Sequence, residues 1–396
     1  MSRTHRWGKG AFLAPLLLLA LLLLSLPPND AGAQTQPAFD TTAKYAILMD
    51  SRSGKIYFEK NADELMQPAS MSKVMTALMV FERLKSGRLH LDDEFTVSVD
   101  AWKRGGATSG GSTMYADVNS RVKLRDLMQG VIVQSANDAC IVIAEGIAGS
   151  EQAFSDLMTQ RARELGLAKS TFRNATGLPD PEHLVTAREL AMLTRYLIEV
   201  FPEYYKIYSQ PEFTWNNITQ KNRNPLLGSF PGADGVKTGF TSASGYGLIG
   251  SAIRDGRRLI VVMNGMKTAA ERAREAPKLL DWGFRRFRTV SLYEAGQSVG
   301  QARVWGGTQS WTRLTAKSDI RVMLADEERD LASAEIQYET PLIAPVAADR
   351  EVGKLRIKVD GKLVAETPLF TSEAVEATDN MWHKAFDSLT YMAFGG

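Results

Sequence analysis

Three short segments hold side chains able to do covalent chemistry together: Ser70-Met71-Ser72-Lys73, Ser135-Ala136-Asn137 and Lys237-Thr238-Gly239. A serine hydroxyl is a poor nucleophile until a neighbouring base takes its proton. Residues three apart on a helix share a face, so the Lys73 amine is expected within reach of the Ser70 hydroxyl. Lysine serves as that base only where burial or a second cation destabilises its ammonium. Ser135 could relay a proton between that lysine and a leaving amine, and Asn137 could bond a peptide carbonyl. Lys237 and Thr238 could meet a carboxylate, and Gly239 would let a ligand's backbone come close. Each segment alone is commonplace, and Ser135 reads equally well as a helix N-cap. Their meaning lies in their joint occurrence and order.

The surrounding sequence supplies elements to position them. Tyr45 to Asp50 is apolar and β-prone, Ser51 to Gly54 is turn-rich, and Lys55 to Glu59 completes a hairpin pattern. After Pro68 the period changes: Met71, Val74, Met75, Leu78, Phe81 and Leu84 recur at helical spacing until Gly87. This puts Ser70 at the start of the first helix. Further helices are expected at about Leu124–Val133, Ala136–Ala148, Glu151–Leu165, Ala187–Val200 and Ala269–Phe287. Ser135 then opens a helix. Gly247–Ile253 and Arg258–Met263 are apolar runs around Asp255-Gly256, a strong hairpin turn. Strands at both ends with helices between make an α+β domain with one antiparallel sheet. From about Tyr293 to Phe370 short β-like runs recur between Gly, Pro and Asp turns, among them Val299–Val304, Ile320–Leu324, Ala334–Tyr338 and Lys354–Val359. That segment reads as a small all-β domain.

The ordered trio is the mark of penicillin-binding proteins and related β-lactamases. With Pro68-Ala69-Ser70, Gln134-Ser135-Ala136-Asn137-Asp138-Ala139-Cys140, Gly177-Leu178-Pro179-Asp180 and Asp234-Gly235-Val236-Lys237-Thr238-Gly239-Phe240-Thr241, the chain resembles the D-alanyl-D-alanine carboxypeptidases. These are the low-molecular-mass class C penicillin-binding proteins of the 5/6 group, peptidase family S11. The resemblance runs from about Phe39 to the C-terminus. It implies a β-lactamase/transpeptidase-like domain at 34–290, a β-sandwich-like domain at 291–375 and an amphipathic helix at 376–396. It implies Ser70 as acylated nucleophile, Lys73 as its base, and Ser135 and Asn137 lining the cleft. Lys237 and Thr238 would face the terminal carboxylate of a cell-wall stem peptide ending in D-Ala-D-Ala, with Arg223 and Arg272 in support. Backbone N–H groups of Ser70 and Phe240 would form the oxyanion hole. β-Lactams would be inhibitors, and no metal or organic cofactor is implied. Two departures are small: Ala136 stands where relatives often have glycine, and Ser72 where threonine is usual.

Rival readings have less support. None of the four histidines, His5, His90, His183 and His383, has the setting of a Ser-His-Asp base. A class A β-lactamase needs a deacylating glutamate, and Ser170–Pro179 has none, so a penicillin adduct should be long-lived. A DD-endopeptidase would use the same machinery, but related endopeptidases generally lack the β-domain and terminal helix. A non-catalytic wall-binding protein need not retain every catalytic side chain.

The ends of the chain bear on location. Arg3, Arg6 and Lys9, the apolar run Ala11–Leu26 and Ala31-Gly32-Ala33 have the layout of an export signal cleaved after Ala33. Without residues 1–33 the chain has 44 basic and 44 acidic residues. It therefore lacks the basic excess that nucleic-acid partners require. Cys140, alone in an exported chain, is expected to be a small buried hydrophobe. Trp382, Ala385, Phe386, Leu389, Met392 and Ala393 share a helix face opposite His383, Lys384, Asp387 and Ser388. This segment is too short to span a bilayer but suited to lie on one. The expected location is the periplasm, with peripheral attachment to the inner membrane.

Overall fold

The first turn signal becomes a hairpin: β1 (Tyr45–Asp50) pairs antiparallel with β2 (Ile56–Lys60). This is a computed structural model describing residues 39–325 and 328–394, and the export-signal reading of residues 1–33 lies outside them. Contact density divides the chain after Phe284 into two bodies.

In the first body, α1 (Lys73–Lys85) follows a short 3-10 turn, Ala69–Ser72. Then come β3 (Glu94–Thr96), α2 (Val99–Gly105), β4 (Arg121–Lys123), α3 (Leu124–Gln129) and α4 (Asn137–Ala148). Helices α5 (Glu151–Glu164), α6 (Ala187–Val200) and α7 (Pro202–Tyr205) precede the small hairpin β5 (Glu212–Trp215) and β6 (Ile218–Lys221). β7 (Ala233–Thr241), β8 (Gly245–Arg254), β9 (Arg257–Met266) and α8 (Ala269–Arg286) follow. The main sheet has the order β2-β1-β9-β8-β7, so first and last strands meet and β7 is an edge. Asp255 and Gly256 turn β8 into β9 with φ of +52° and +72°, the left-handed pair a tight hairpin needs.

Every residue from Met71 to Phe81 is buried. A helix surrounded on all sides belongs at the centre of a domain. Here it ties Met71, Val74, Met75, Leu78 and Phe81 into one core with Ile132, Val142, Leu190, Ile249 and Val262. The serine-lysine pair therefore stands on a fixed platform.

Two local expectations need correction. The helix expected to reach Val133 ends at Gln129 and continues as one π-turn, Gly130–Gln134. Ser135 is not a helix N-cap. It sits in left-handed backbone (φ +68°), and α4 starts at Asn137 after Ala136.

The second body is all-β until its last helix. β10 (Phe287–Tyr293) pairs with β13 (Ile320–Ala325). The larger sheet has β11 (Ser298–Trp305), β12 (Trp311–Thr315), β14 (Ala332–Tyr338), β15 (Leu342–Ile343), β16 (Glu351–Val359) and β17 (Lys362–Thr371), in the order β14-β16-β17-β12-β11-β15. Alternate residues such as Leu355, Ile357 and Val359 face a core with Leu314, Val322 and Leu369. Helix α9 (Met381–Phe394) rests on this body through its polar side. Buried Asp387 accepts from the Gly306 N–H (3.1 Å), and the Trp305 indole donates to Ser388 Oγ (3.1 Å). Met381, Trp382, Phe386, Leu389 and Met392 are left between 63% and 86% exposed. No helix among the described residues is long and apolar enough to cross a membrane.

Candidate active site

The 3-10 turn and first turn of α1 bring the Lys73 ammonium 2.9 Å from Ser70 Oγ. Lys73 also donates to Asn137 Oδ1 (2.8 Å) and to the Thr176 carbonyl (2.5 Å). It is 1% exposed. Burial, with a push from the Arg223 charge, brings its pKa down from 10.5 to about 8. A neutral amine keeps two N–H donors for Asn137 and Thr176, which leaves its lone pair for the Ser70 hydroxyl. This arrangement fits a general base.

The third motif packs on the turn that holds Ser70, with Gly239 beside Pro68, Ala69 and Met71. Lys237 and Thr238 lie in the edge strand β7, and both are buried. Lys237 Nζ donates to the Thr238 carbonyl (3.1 Å). Its pKa falls well below the usual lysine value through burial, then through the charges of Lys73, Arg223 and Arg272. These neighbouring groups disfavour the Lys237 ammonium, and an incoming carboxylate would favour it again. The Arg223 guanidinium donates to Ser112 Oγ (2.7 Å). Arg272 reaches the Gly239 carbonyl (3.4 Å) and lies over the Tyr246 ring. Phe240 is half exposed and stacks on Tyr246 with ring centroids 4.2 Å apart. Ser135 is buried two residues before Asn137.

Gly239 has a packing reason besides the one expected. A Cβ there would meet the Pro68 carbonyl at 2.9 Å and Ala69 Cβ at 3.2 Å. Its bare Cα lets β7 pack on the turn that holds Ser70.

Several contributors left no distinctive mark in the sequence. Thr176 acts through its main-chain carbonyl, which any residue type carries. Gly177, at φ +78°, presses so closely on the Ala69 carbonyl that a Cβ would sit 2.0 Å from it. Asp138, fully buried, accepts from Thr113 Oγ1 (2.6 Å) and from the Met114 and Ala116 N–H groups (both 3.1 Å). It pins the segment whose Ser112 carbonyl accepts from the Asn137 N–H (2.7 Å). Asp138 and Gly177 stand in the motif text, but only the three-dimensional contacts give them work.

Among the described residues Ser70 Oγ is bonded by Lys73 and not by a histidine or thiol; His383 Nε2 lies instead 3.4 Å from Ser310 Oγ, in the second body. Cys140 is fully buried, and burial raises its thiol to about 12, so it stays protonated. His183 is buried and held neutral, its pKa brought down to about 4 by burial. Its Nδ1 accepts from the Arg173 N–H (3.4 Å). Glu151 bonds Ala175 N–H and Arg104, and Glu189 bonds Lys169 N–H and Ser170.

Residues 31–268 match the D-alanyl-D-alanine carboxypeptidase family, and residues 287–377 match the C-terminal domain of penicillin-binding protein 5. The chain is 41% identical over 360 residues to D-alanyl-D-alanine carboxypeptidase DacC of Escherichia coli strain K12, covering 90% of each. The crystal structure of penicillin-binding protein 5 from Haemophilus influenzae superposes with TM-score 0.73 at 36% identity, covering 86% of this chain and 99% of that one. Penicillin-binding protein D2 of Listeria monocytogenes, in its ampicillin-bound form, superposes with TM-score 0.55 at 32% identity, covering 63% of this chain and all of that one.

Proposed function

We propose that this chain, which belongs to the D-alanyl-D-alanine carboxypeptidase family, carries out that family's reaction through an acyl-enzyme on Ser70. It is a serine-type D-Ala-D-Ala carboxypeptidase acting on peptidoglycan stem peptides and bound by β-lactams. The observation that carries the residue assignment is the triple coordination of the Lys73 amine by Ser70 Oγ, Asn137 Oδ1 and the Thr176 carbonyl.

Lys73 takes the Ser70 proton as Oγ attacks the carbonyl between the last two D-alanines. The N–H groups of Ser70 and Phe240 hold the oxyanion. The proton passes through Ser135 to the departing D-alanine nitrogen. Lys237, Thr238, Arg223 and Arg272 hold the substrate's terminal carboxylate, a role supported by the nearness of Arg223 and Arg272 to Lys237. Water then hydrolyses the ester. Glu151 and Glu189 are committed to their own bonds, which supports slow release of a penicillin adduct.

The location follows the same reading. A signal cleaved after Ala33 delivers residues 34–290 as catalytic domain and 291–375 as a stalk in the periplasm. The helix within 376–396 attaches to the inner-membrane surface. In support, α9 spends its polar face on the β-domain and leaves Trp382 and Phe386 exposed.

The test is mass spectrometry of residues 34–396 with benzylpenicillin, with D-alanine release from diacyl-Lys-D-Ala-D-Ala and Ser70→Ala alongside. A stable adduct on Ser70 and D-alanine release, both absent in the variant, are expected. An adduct or release that survives Ser70→Ala overturns the assignment.

A further inference from the structure

Of the three groups that Lys73 contacts, two are side chains and one is a main-chain carbonyl. A carbonyl can hold a catalytic amine only as firmly as its own peptide is held. The segment Asn174–Leu178 is gripped at each step. Glu151 Oε1 accepts from the Ala175 N–H (3.0 Å), and Thr76 Oγ1 donates to the Ala175 carbonyl (2.7 Å). Asn174 Oδ1 accepts from three donors: the Thr176 N–H (3.2 Å), Thr176 Oγ1 (2.9 Å) and the Gly177 N–H (2.7 Å). Asn174 Nδ2 donates onward to the Leu178 carbonyl (3.1 Å). On the far side, Gly177 abuts the Ala69 carbonyl and Ser72 Oγ, which belong to the nucleophile's own turn.

We propose that Asn174 is a positioning residue for the acylation step: its amide fixes the Thr176 carbonyl on Lys73, so that the amine's lone pair faces Ser70 Oγ. Asn174 touches neither substrate nor the migrating proton. It acts by limiting how the amine can rotate. With the Thr176 carbonyl held, one N–H of the neutral amine is committed there and a second to Asn137, and the remaining direction is that of the hydroxyl. If the 174–178 turn loosens, the amine gains orientations in which an N–H faces Ser70 Oγ, and those cannot take its proton. Attack geometry of this kind governs rate steeply.

This rests on the reading of Ser70 and Lys73 as nucleophile and base, so the experiment tests each separately. Pre-steady-state acylation by benzylpenicillin is followed from pH 6 to 10 for wild type, Asn174→Ala and Asn174→Asp, with the final adduct stoichiometry measured by mass. Asn174→Ala is expected to lower the high-pH plateau about tenfold or more. It should also move the midpoint to lower pH, because the ammonium loses a well-held acceptor. The stoichiometry should still reach one adduct per chain. Asn174→Asp keeps an oxygen for the three donors, so the plateau should recover to within about threefold. Its added negative charge should move the midpoint to higher pH.

A merely structural role predicts something else: a lower amplitude in proportion to lost stoichiometry, with the midpoint of Asn174→Ala unmoved. That result overturns the proposal, as does an unchanged plateau in Asn174→Ala. If Asn174→Ala does not fold, Asn174→Gln, whose longer side chain displaces the amide oxygen, takes its place: a plateau about tenfold lower with a downward midpoint supports the role, and an unchanged plateau overturns it. Absence of a Ser70 adduct in wild type sinks the nucleophile assignment itself, and the positioning role with it.

Discussion

The acylation rate should rise about tenfold between pH 7 and pH 9, because Lys73 acts as a base only when neutral. Burial brings its pKa to about 8. The neutral fraction is then about one-tenth at pH 7, one-half at pH 8 and nine-tenths at pH 9. An exposed lysine with a pKa near 10.5 would be neutral in about one molecule in 3,000 at pH 7. Burial therefore raises the reactive fraction about 300-fold at that pH. The sign is fixed by the group: the ammonium is the inactive form, so activity is gained as pH rises through the depressed pKa. The second lowering cause is the Arg223 charge, so Arg223→Gln should move the midpoint upward. Stopped-flow acylation by a chromogenic cephalosporin, which reports on the first half-reaction alone, gives both midpoints. A flat profile from pH 7 to 9, or a rise beginning only near pH 10, would refute a buried lysine base. A midpoint lowered by Arg223→Gln would refute the electrostatic account.

Other outcomes follow from single contacts. Gly177→Ala forces a Cβ against the Ala69 carbonyl at left-handed φ. It should cost at least about 3 kcal/mol and about 6 °C in Tm by calorimetry, with acylation falling because the Ser70 turn must shift. Asp138→Ala strands the donors of Thr113, Met114 and Ala116 in the core. Denaturant melts should show a loss of about 3–5 kcal/mol, and hydrogen exchange should quicken first at Met114 and Ala116. Trp382→Ala with Phe386→Ala, both on the exposed side of α9, should abolish co-sedimentation with phosphatidylglycerol vesicles while peptide hydrolysis in solution is unchanged. Co-sedimentation that survives would remove α9 as the membrane contact.

Much of the outline was legible because the signals are local. The apolar alternation of Tyr45–Asp50, the Asp255-Gly256 turn and the helical period after Pro68 each depend on neighbours within a few residues. The Ser-x-x-Lys spacing alone puts Lys73 beside Ser70, since residues three apart share a helix face. The two-faced pattern of α9 was equally plain.

Sequence could not say what those local pieces would meet. Ser135 reads as a cap, yet it sits in left-handed backbone at the end of the π-turn. Gly239 also gives room to the Pro68 carbonyl, a neighbour 171 residues away that the sequence does not show. The third partner of Lys73 is a backbone oxygen 103 residues away, which has no side-chain identity to read. The depressed pKa of Lys73 comes from burial, a property of the assembled core. For α9 the sequence set which residues share a face. Which face docks was decided by the Gly306 N–H and the Trp305 indole, tertiary donors that draw the helix in by its polar side. The sequence thus determined the reactive pair and the elements that carry it. The tertiary structure decided its electrostatics and its third hydrogen bond, because both depend on groups brought together only when the chain has closed.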